Sequence, residues 1–413
     1  MYYTIKMSFL QKTNTHATIQ IIMFWNNKKD KRIYMDYAAS TPVDADVLKV
    51  MMPYFAEDFG NANSIHEEGV KAKEVLDSAR KSVADVLNAR SEEIIFTSGG
   101  TESNSLAIVG SIDDIKNSHA VTSTIEHPSV LEVFKALEKQ GLDVTYVGVD
   151  ESGVVNPKDV RDAIRENTIL VSIMYVNNEI GTIQPVSEIA KAVRSKKKEY
   201  NSNILFHTDA SQAPLYLSLN TLKLGVDMMT LGGQKMYGPK GVGCLYVKKG
   251  VKISSIVKGR NQEGGIRAGT ENVPLIVGFT KALELAEKNR ENETRRVAEL
   301  RDYFIEELNN KIPEVKLNGS REERVANNVN IYIPNIEGEF LVLILDNKGI
   351  ACATRSACKT SDEDEGSYVI QALGYSKERS KNSLRFSLGK DTTKKDIDYV
   401  VKTLSEAVKK YSK

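Results

Sequence analysis

Apolar side chains recur along the chain at two spacings, and each spacing predicts a different element. Between residues 72 and 87 they fall on one face of a helix, at Ala72, Leu76, Ala79 and Val83. Short apolar runs of strand length follow, separated by polar stretches, several of which have helical spacing. The runs predicted as strands cover residues 93–97, 120–124, 144–147, 169–174, 204–208, 228–231 and 244–247. The helices predicted between them include residues 128–137 and 185–194.

This alternation predicts an α/β fold, in which βαβ units build a mostly parallel sheet covered by helices. Ligands of such sheets bind at the carboxyl ends of the strands, so the residues just after each strand are the first candidates for chemistry. Beyond Asn272 the pattern changes to a long charged helical region that ends near Lys311. A strand at 329–333, a helix at 340–347 and a final amphipathic helix follow. We interpret this part as a second, smaller α+β domain.

The composition limits the partners and the compartment. The 413 residues include 56 Lys and Arg against 55 Asp and Glu, which gives no reason to expect direct binding of nucleic acid or an anionic membrane. No apolar run approaches the roughly 20 residues that span a bilayer. Three cysteines, Cys244, Cys352 and Cys358, are too few for a disulfide framework and favour a reducing, cytoplasmic location. No cysteine or histidine spacing predicts a metal site.

Residues 1–32 lack the alternation that follows them. A short apolar stretch at 21–25 precedes a basic run at 28–32, which is the reverse of the order in a secretory signal. We therefore predict a disordered N-terminal extension, with Met23 as a candidate alternative start.

Polar residues that follow the predicted strands are of the kinds that hold an aldehyde cofactor. The Gly-Gly-Thr turn at 99–101 could close on an anion, although Thr101 as a helix cap explains it equally well. Asp209 could keep a pyridine nitrogen protonated or could be a capping residue. Lys235, in a glycine-rich segment, could form a Schiff base or be a surface charge. His127 and Asn178 follow two further strands, and the set together favours the cofactor site.

Ten short segments, in order over roughly residues 33–410, carry a resemblance to a known family. They are MDYAASTP at 35–42, NANSIH at 61–66, TSGGTESN at 97–104, EHPSV at 126–130, VNNEIG at 176–181, HTDASQ at 207–212, KMYGPKG at 235–241, RAGTEN at 267–272, SAC at 356–358 and LRFSLG at 384–389. The set resembles the cysteine desulfurases of the NifS/IscS type, within the class V aminotransferase family of fold-type I pyridoxal-phosphate enzymes. Chance agreement of ten ordered motifs is negligible.

The resemblance implies a pyridoxal 5'-phosphate site. Lys235 corresponds to the lysine that binds the cofactor aldehyde, and His127 to the histidine that stacks on the ring and helps to move protons. The other implied cofactor contacts are Asp209 at the ring nitrogen, Gln212 and Asn178 near the ring hydroxyl, Gly100 and Thr101 at the phosphate, Gln234 beside the lysine, and Thr270 from the other subunit of a homodimer.

The resemblance also implies the reaction. Arg385 and Asn178 would bind the substrate L-cysteine, and Cys358 would take its sulfur as a persulfide, releasing L-alanine. Cys358 lies in a polar segment, where Arg355 and Lys359 favour the thiolate. The persulfide would go to a sulfur-acceptor protein, either an iron–sulfur scaffold or a tRNA-thiolating enzyme.

The fold-type I pattern implies a division of the chain. Residues 45–290 would form the large pyridoxal-phosphate-binding domain. Residues 33–44 together with 291–413 would form a small domain that carries Cys358 and Arg385.

Two positions depart from the family pattern. Gly232 stands where serine is usual, and Gln234 stands where histidine is usual; both usual residues donate to the cofactor phosphate. We therefore predict weaker cofactor retention than in a typical member. Two alternatives stay open: a selenocysteine lyase or related class V enzyme, and a degenerate homologue that serves as a scaffold.

Overall fold

The structure, a computed structural model, describes residues 32–354 and 366–411. The predictions made for residues 1–31 and for Cys358 lie outside these residues. The strands of the described chain are β1 (Ile33–Tyr34), β2 (Ile94–Thr97), β3 (His119–Ser123), β4 (Asp143–Val147), β5 (Thr168–Ser172), β6 (Leu205–Asp209), β7 (Met228–Gly232), β8 (Gly243–Val247), β9 (Lys316–Leu317), β10 (Asn328–Tyr332), β11 (Ile350–Ala351) and β12 (Ser383–Ser387).

Helices lie between most of these strands. They are α1 (Ala45–Met51), α2 (Pro53–Ala56), α3 (Glu67–Leu87), α4 (Gly100–Gly110), α5 (Pro128–Glu138), α6 (Pro157–Ala163), α7 (Val186–Glu199), α8 (Thr221–Leu224), α9 (Val273–Lys311), α10 (Gly338–Asn347), α11 (Tyr368–Ala372), α12 (Lys377–Lys381) and α13 (Lys394–Tyr411). Among the described residues, none of these helices is long and apolar enough to cross a membrane.

The central sheet has seven strands in the order β2-β8-β7-β6-β5-β3-β4. Its pairs are parallel from β4 through β7, whereas β8 runs antiparallel to both of its neighbours. The segment 233–242 between β7 and β8 explains this reversal, because a parallel crossover needs a dozen or more residues. The predicted α/β class with a mostly parallel sheet is thus confirmed, and each strand predicted from an apolar run exists within a few residues of its expected bounds.

Local sequence signals set the ends of the long helices. The side chain of His66 caps the start of α3, and Asn88 ends it in the left-handed conformation. Asn272 caps α9, which has a proline in its first turn and runs for 39 residues. This helix packs against α3 and α13, so it connects the helices around the large sheet to the C-terminal part of the chain.

The C-terminal part contains a small antiparallel sheet in the order β12-β10-β9. The two-residue strand β1 pairs in parallel with β11, which joins the start of the described chain to this part. The division of the chain at residues 44/45 and 290/291 stays a prediction, and α9 runs across the second boundary. In the small antiparallel sheet, the pairing of β12 with β10 places Arg385 beside Asn330.

Candidate active site

A cavity of about 240 Å³ lies at the carboxyl edge of the central sheet. Its lining comes from the turns that follow β2, β3, β5, β6 and β7, as expected for a parallel sheet, together with the 38–39 segment and β12. The lining residues are Ala38, Ala39, Gly100, Thr101, Asn104, His127, Ser129, Met174, Val176, Asn178, Asp209, Ser211, Gln212, Gln234, Lys235 and Arg385. All the predicted site residues in the described chain, except Thr270, are therefore gathered in one place.

A chain of hydrogen bonds connects Asp209 to His127. The Asn104 Nδ2 group donates to Asp209 Oδ2 over 2.7 Å and to Ser129 Oγ over 2.8 Å. The Ser129 hydroxyl lies 2.8 Å from His127 Nδ1. The second carboxylate oxygen, Asp209 Oδ1, accepts from the backbone N–H of Ser211 over 2.9 Å. The carboxylate is therefore held on both oxygens at the end of β6.

These contacts determine which nitrogen of His127 carries the proton. The backbone N–H of Ser129 donates to His127 Nδ1 over 3.1 Å, so Nδ1 acts as an acceptor. Burial lowers the pKa of His127 below its usual value, which favours the neutral ring. The neutral ring then carries its proton on Nε2.

Lys235 ends the short 3-10 turn Gly233–Lys235 that follows β7. Its Nζ group donates to the carbonyl oxygens of Ala38 and Ala39 over 2.7 and 2.8 Å. Gln212 also donates to the Ala38 carbonyl, over 3.0 Å. The segment before α1 thus closes one side of the cavity and holds the lysine ammonium inside it.

Arg385 is only 1% exposed and is the only charged residue of its strand, β12. One of its terminal nitrogens donates to the Asn178 carbonyl over 2.9 Å and the other to Asp36 Oδ1 over 2.7 Å. Within the described chain, Arg385 Nε and Asn178 Oδ1 are buried without a hydrogen-bond partner. A buried donor and a buried acceptor without partners are costly, so this end of the cavity suits a polar ligand.

Glu126 is a buried carboxyl group next to the site in sequence. The Ser123 hydroxyl and the Met174 backbone N–H both donate to Glu126 Oε1, over 2.6 and 2.9 Å. Burial raises the pKa of Glu126 to about 8, so the group is mostly neutral at pH 7. It therefore adds little negative charge beside Asp209.

The described residues just before and just after 355–365 form hydrogen bonds to residues in or next to the site. On the N-terminal side, the backbone of Ala353 pairs with that of Arg385. On the C-terminal side, Ser367 Oγ donates to Glu179 Oε2 over 2.6 Å, and the Tyr368 hydroxyl donates to the Glu126 carbonyl over 2.6 Å. Glu179 and Glu126 directly neighbour Asn178 and His127 in sequence.

Two predicted residues are not in this cavity. Thr270 is exposed and lines a different cavity, together with Phe59 and Tyr54. Its predicted contact is with a second subunit, so a single chain does not test it. Cys358 lies outside the described residues.

Sequence reasoning missed four residues of the site: Asn104, Ser129, Ser211 and Asp36. Asn104 follows Gly100 by one helical turn, and Ser129 and Ser211 each come two residues after a predicted residue. Spacing therefore carried a signal for those three. Asp36 had none, because its partner Arg385 lies 349 residues away.

Comparisons with known proteins agree with this geometry. Residues 33–400 match the family described as aminotransferase class-V. Cysteine desulfurase IscS of Dictyoglomus turgidum is 45% identical to this chain over 382 residues, covering 92% of this chain and 95% of that protein. Cysteine desulfurase IscS of Methanosarcina thermophila is 47% identical over 384 residues, covering 92% and 93%.

Solved structures give the same picture. A NifS-like protein superposes with a TM-score of 0.85 at 35% identity, covering 92% of this chain and 100% of that one. A structure of SspA in complex with cysteine superposes with a TM-score of 0.75 at 34% identity, covering 87% of this chain and 99% of that one.

Proposed function

The chain belongs to the aminotransferase class-V family and is a cysteine desulfurase, and we propose that it removes sulfur from L-cysteine with pyridoxal 5'-phosphate held in the cavity at the carboxyl edge of the sheet. The observation that carries this proposal is the convergence of Lys235, Asp209 and Arg385 on that one cavity. An amine for the cofactor aldehyde, a carboxylate for its ring nitrogen and a guanidinium for the substrate carboxylate are three of the groups that such a reaction requires, and the thiol of Cys358 would be the fourth.

The cavity fits the cofactor by the chemistry of its donors and acceptors. Asp209, held by Asn104 and the Ser211 backbone, can keep a ring nitrogen protonated. Gly100 and Thr101, at the N-terminus of α4, line the same cavity, and a helix N-terminus favours a phosphate group. Bound pyridoxal phosphate supplies an aldehyde for an amino group and a ring that withdraws electrons from the α-carbon of the substrate.

The protein groups bind the substrate and move protons. Lys235 Nζ would hold the cofactor aldehyde and, once the substrate has replaced it, take the proton from the substrate α-carbon. The Nε2–H of His127 can assist that transfer. Arg385, through Nε and its remaining N–H groups, and Asn178, through its side-chain amide, would bind the substrate carboxylate and so fix its orientation.

The position of Cys358 in the chain supports its proposed role as the nucleophile. Cys358 follows Thr354 by four residues, which at roughly 3.5 Å per residue gives a reach of about 14 Å. Thr354 directly follows Ala353, whose backbone pairs with that of Arg385. The Cys358 thiolate would attack the substrate sulfur, the carbon–sulfur bond would break with its electron pair left on carbon, and that carbon would take up a proton before alanine leaves.

The function is tested by incubating the protein with L-cysteine and pyridoxal phosphate in the absence of other thiols. We expect one alanine per enzyme active site in the first turnover, and a mass increase of one sulfur atom on the Cys358 peptide. Alanine without the added sulfur, or no alanine at all, contradicts the proposal. The peptide that contains Cys244 is the internal control, since burial raises the pKa of that thiol to about 12.

Arg385→Lys tests the substrate-binding role. Lysine keeps the charge but loses the forked donors, so we expect kcat/KM for cysteine to fall about 10- to 100-fold, mainly through KM. Steady-state kinetics measure the change. Arg379→Lys is the matched control, because Arg379 stacks on Tyr375 outside the cavity. An unchanged KM in Arg385→Lys excludes this role.

We further propose a homodimer that brings Thr270 to the partner's cofactor. Phe59 lines the same cavity as Thr270 and is 72% exposed. Asn63 donates to Glu271, the neighbour of Thr270, over 3.1 Å, and Ile65, two residues further along the chain, is 99% exposed. Large exposed apolar side chains are common at interfaces, and a second copy would also complete the phosphate site.

Phe59→Glu tests the dimer. A charge buried in an apolar interface is costly, so we expect the molar mass in solution to fall to that of one chain and cofactor retention to fall with it. Light scattering coupled to size exclusion measures the mass. Leu343→Glu, at a residue that is 69% exposed on α10, is the control and should leave the dimer intact. A Phe59→Glu protein that keeps the wild-type mass rules out this interface.

We propose a cytoplasmic location and delivery of the persulfide to a sulfur-acceptor protein. The two described cysteines, Cys244 and Cys352, are free and buried, which agrees with a reducing compartment. The acceptor, whether an iron–sulfur scaffold or a tRNA-thiolating enzyme, would need a thiol or thiolate that can attack the outer sulfur of the persulfide.

A further inference from the structure

Three glycines, Gly99, Gly232 and Gly243, lie close together next to the N-terminus of α4, where Gly100 and Thr101 line the cavity. Gly99 precedes α4 with a φ of 153°, and no side chain caps the helix there. A Cβ on Gly243 would lie 2.6 Å from the Gly99 carbonyl carbon, and Gly243 pairs with Gly232 across β7 and β8. These close approaches place Gly232 beside the N-terminus of α4.

Gly232 leaves room that the side chain of Gln234 occupies. A Cβ built on Gly232 would lie 3.1 Å from Gln234 Oε1. The glutamine amide therefore folds back over the glycine and still lines the cavity. A larger residue at position 232 would displace it.

The hydroxyl of Ser211 also lies close to the N-terminus of α4. A Cβ built on Gly100 would lie 3.1 Å from Ser211 Oγ. Ser211 comes two residues after Asp209, the last residue of β6, and Gly232 is the last residue of the neighbouring strand β7, so both lie at the carboxyl edge of the sheet. Neither Ser211 Oγ nor the Gln234 amide has a hydrogen-bond partner among the described residues, and both line the cavity.

We propose that Ser211 is a phosphate-binding residue of this enzyme, and that it acts together with Gln234. Ser211 Oγ and Gln234 Nε2 line the same cavity and would both donate to the cofactor phosphate. The first-turn N–H groups of α4 and the hydroxyl of Thr101 complete the set of donors. This inference rests on the proposed function, because it names residues that hold the proposed cofactor.

This arrangement has two consequences that would not follow if the residues at positions 232 and 234 had simply lost their hydrogen bonds to the phosphate. First, the weak cofactor retention predicted from Gly232 is offset, since a hydroxyl is supplied from the turn after β6 instead of from the end of β7. Second, Ser211 acts on the phosphate alone, because its backbone N–H, and not its hydroxyl, contacts the carboxylate of Asp209.

The test measures equilibrium binding of pyridoxal phosphate and of pyridoxal, which lacks the phosphate, to the full-length protein by ultrafiltration. Removing a hydrogen bond to a charged group is worth about 1.5–3 kcal/mol. We therefore expect Ser211→Ala to raise the dissociation constant for pyridoxal phosphate at least about tenfold and to leave that for pyridoxal unchanged. Ser211→Thr keeps the hydroxyl and should retain most of the affinity. Ser187→Ala, at the start of α7, is the matched control.

The outcomes separate this inference from the proposed function. If Ser211→Ala binds pyridoxal phosphate as tightly as the wild type, or if both ligands weaken equally, the role of Ser211 is refuted while the function stands. If the wild-type protein binds no pyridoxal phosphate, the proposed function fails and the inference fails with it. Circular dichroism of each variant shows whether it folds.

Discussion

Replacing Cys358 with alanine is expected to stop sulfur release from L-cysteine while leaving cofactor binding as it is in the wild type. A thiol delivered from within the same chain can act at an effective concentration of about 10⁵ M or more, whereas an added thiol is present at millimolar levels. Even a small fraction of that advantage predicts a fall in kcat of more than about a thousandfold. Alanine formation should stop together with persulfide formation, because one bond-breaking step supplies both.

The experiment compares Cys358→Ala with Cys244→Ala. Cys244 lies on β8 and is fully buried in the core, and burial raises its pKa to about 12, so it is a poor nucleophile. We expect Cys244→Ala to keep its activity at a modest cost in stability. The yellow colour of the bound cofactor should persist in both variants. Full sulfur release by Cys358→Ala would instead favour a selenocysteine lyase or a related class V enzyme.

The elements that hold the site could be predicted because their sequence signals are local. Strands β3 and β6 are short and almost entirely buried, and His127 and Asp209, which lie after or at their ends, are at the carboxyl edge of the parallel sheet. The order of the strands and the reversal of β8 could not be predicted, because pairing depends on contacts between segments far apart in sequence.

The difference between local signals and contacts of distant segments also explains which residues of the site were missed. Asn104 looks like an ordinary polar residue of a helix, and only the folded chain shows that its amide connects Asp209 to Ser129. Arg385 did carry a physical signal, namely a charge within the otherwise uncharged run at 383–388, but its partner Asp36 could be found only from the structure. The spacing of Ser211 from Asp209 placed it near the site, but the role that we propose for its hydroxyl also depends on Gly232, which has no side chain to donate to a phosphate.

Replacing Lys235 with alanine is expected to remove the covalent attachment of the cofactor and to lower kcat by roughly 10²- to 10⁴-fold or more. Loss of Lys235 as a positioned base would alone lower kcat by at least about 10²-fold. Loss of the covalent link adds to it, because the substrate must then react with a free aldehyde. Lys235 Nζ also donates to the carbonyl oxygens of Ala38 and Ala39, so circular dichroism is used to check that the variant folds.

Borohydride reduction followed by peptide mass spectrometry measures the attachment directly. In the wild type we expect the reduced cofactor on the peptide that contains Lys235, and in Lys235→Ala we expect none. Lys240→Ala is the matched control, since Lys240 belongs to the same glycine-rich segment but is exposed and outside the cavity. A reduced adduct that persists in Lys235→Ala, or that disappears in Lys240→Ala, would place the reactive amine elsewhere. Because Asp209 and Arg385 are oriented toward the cavity that holds Lys235, such a result would also remove the basis for their roles.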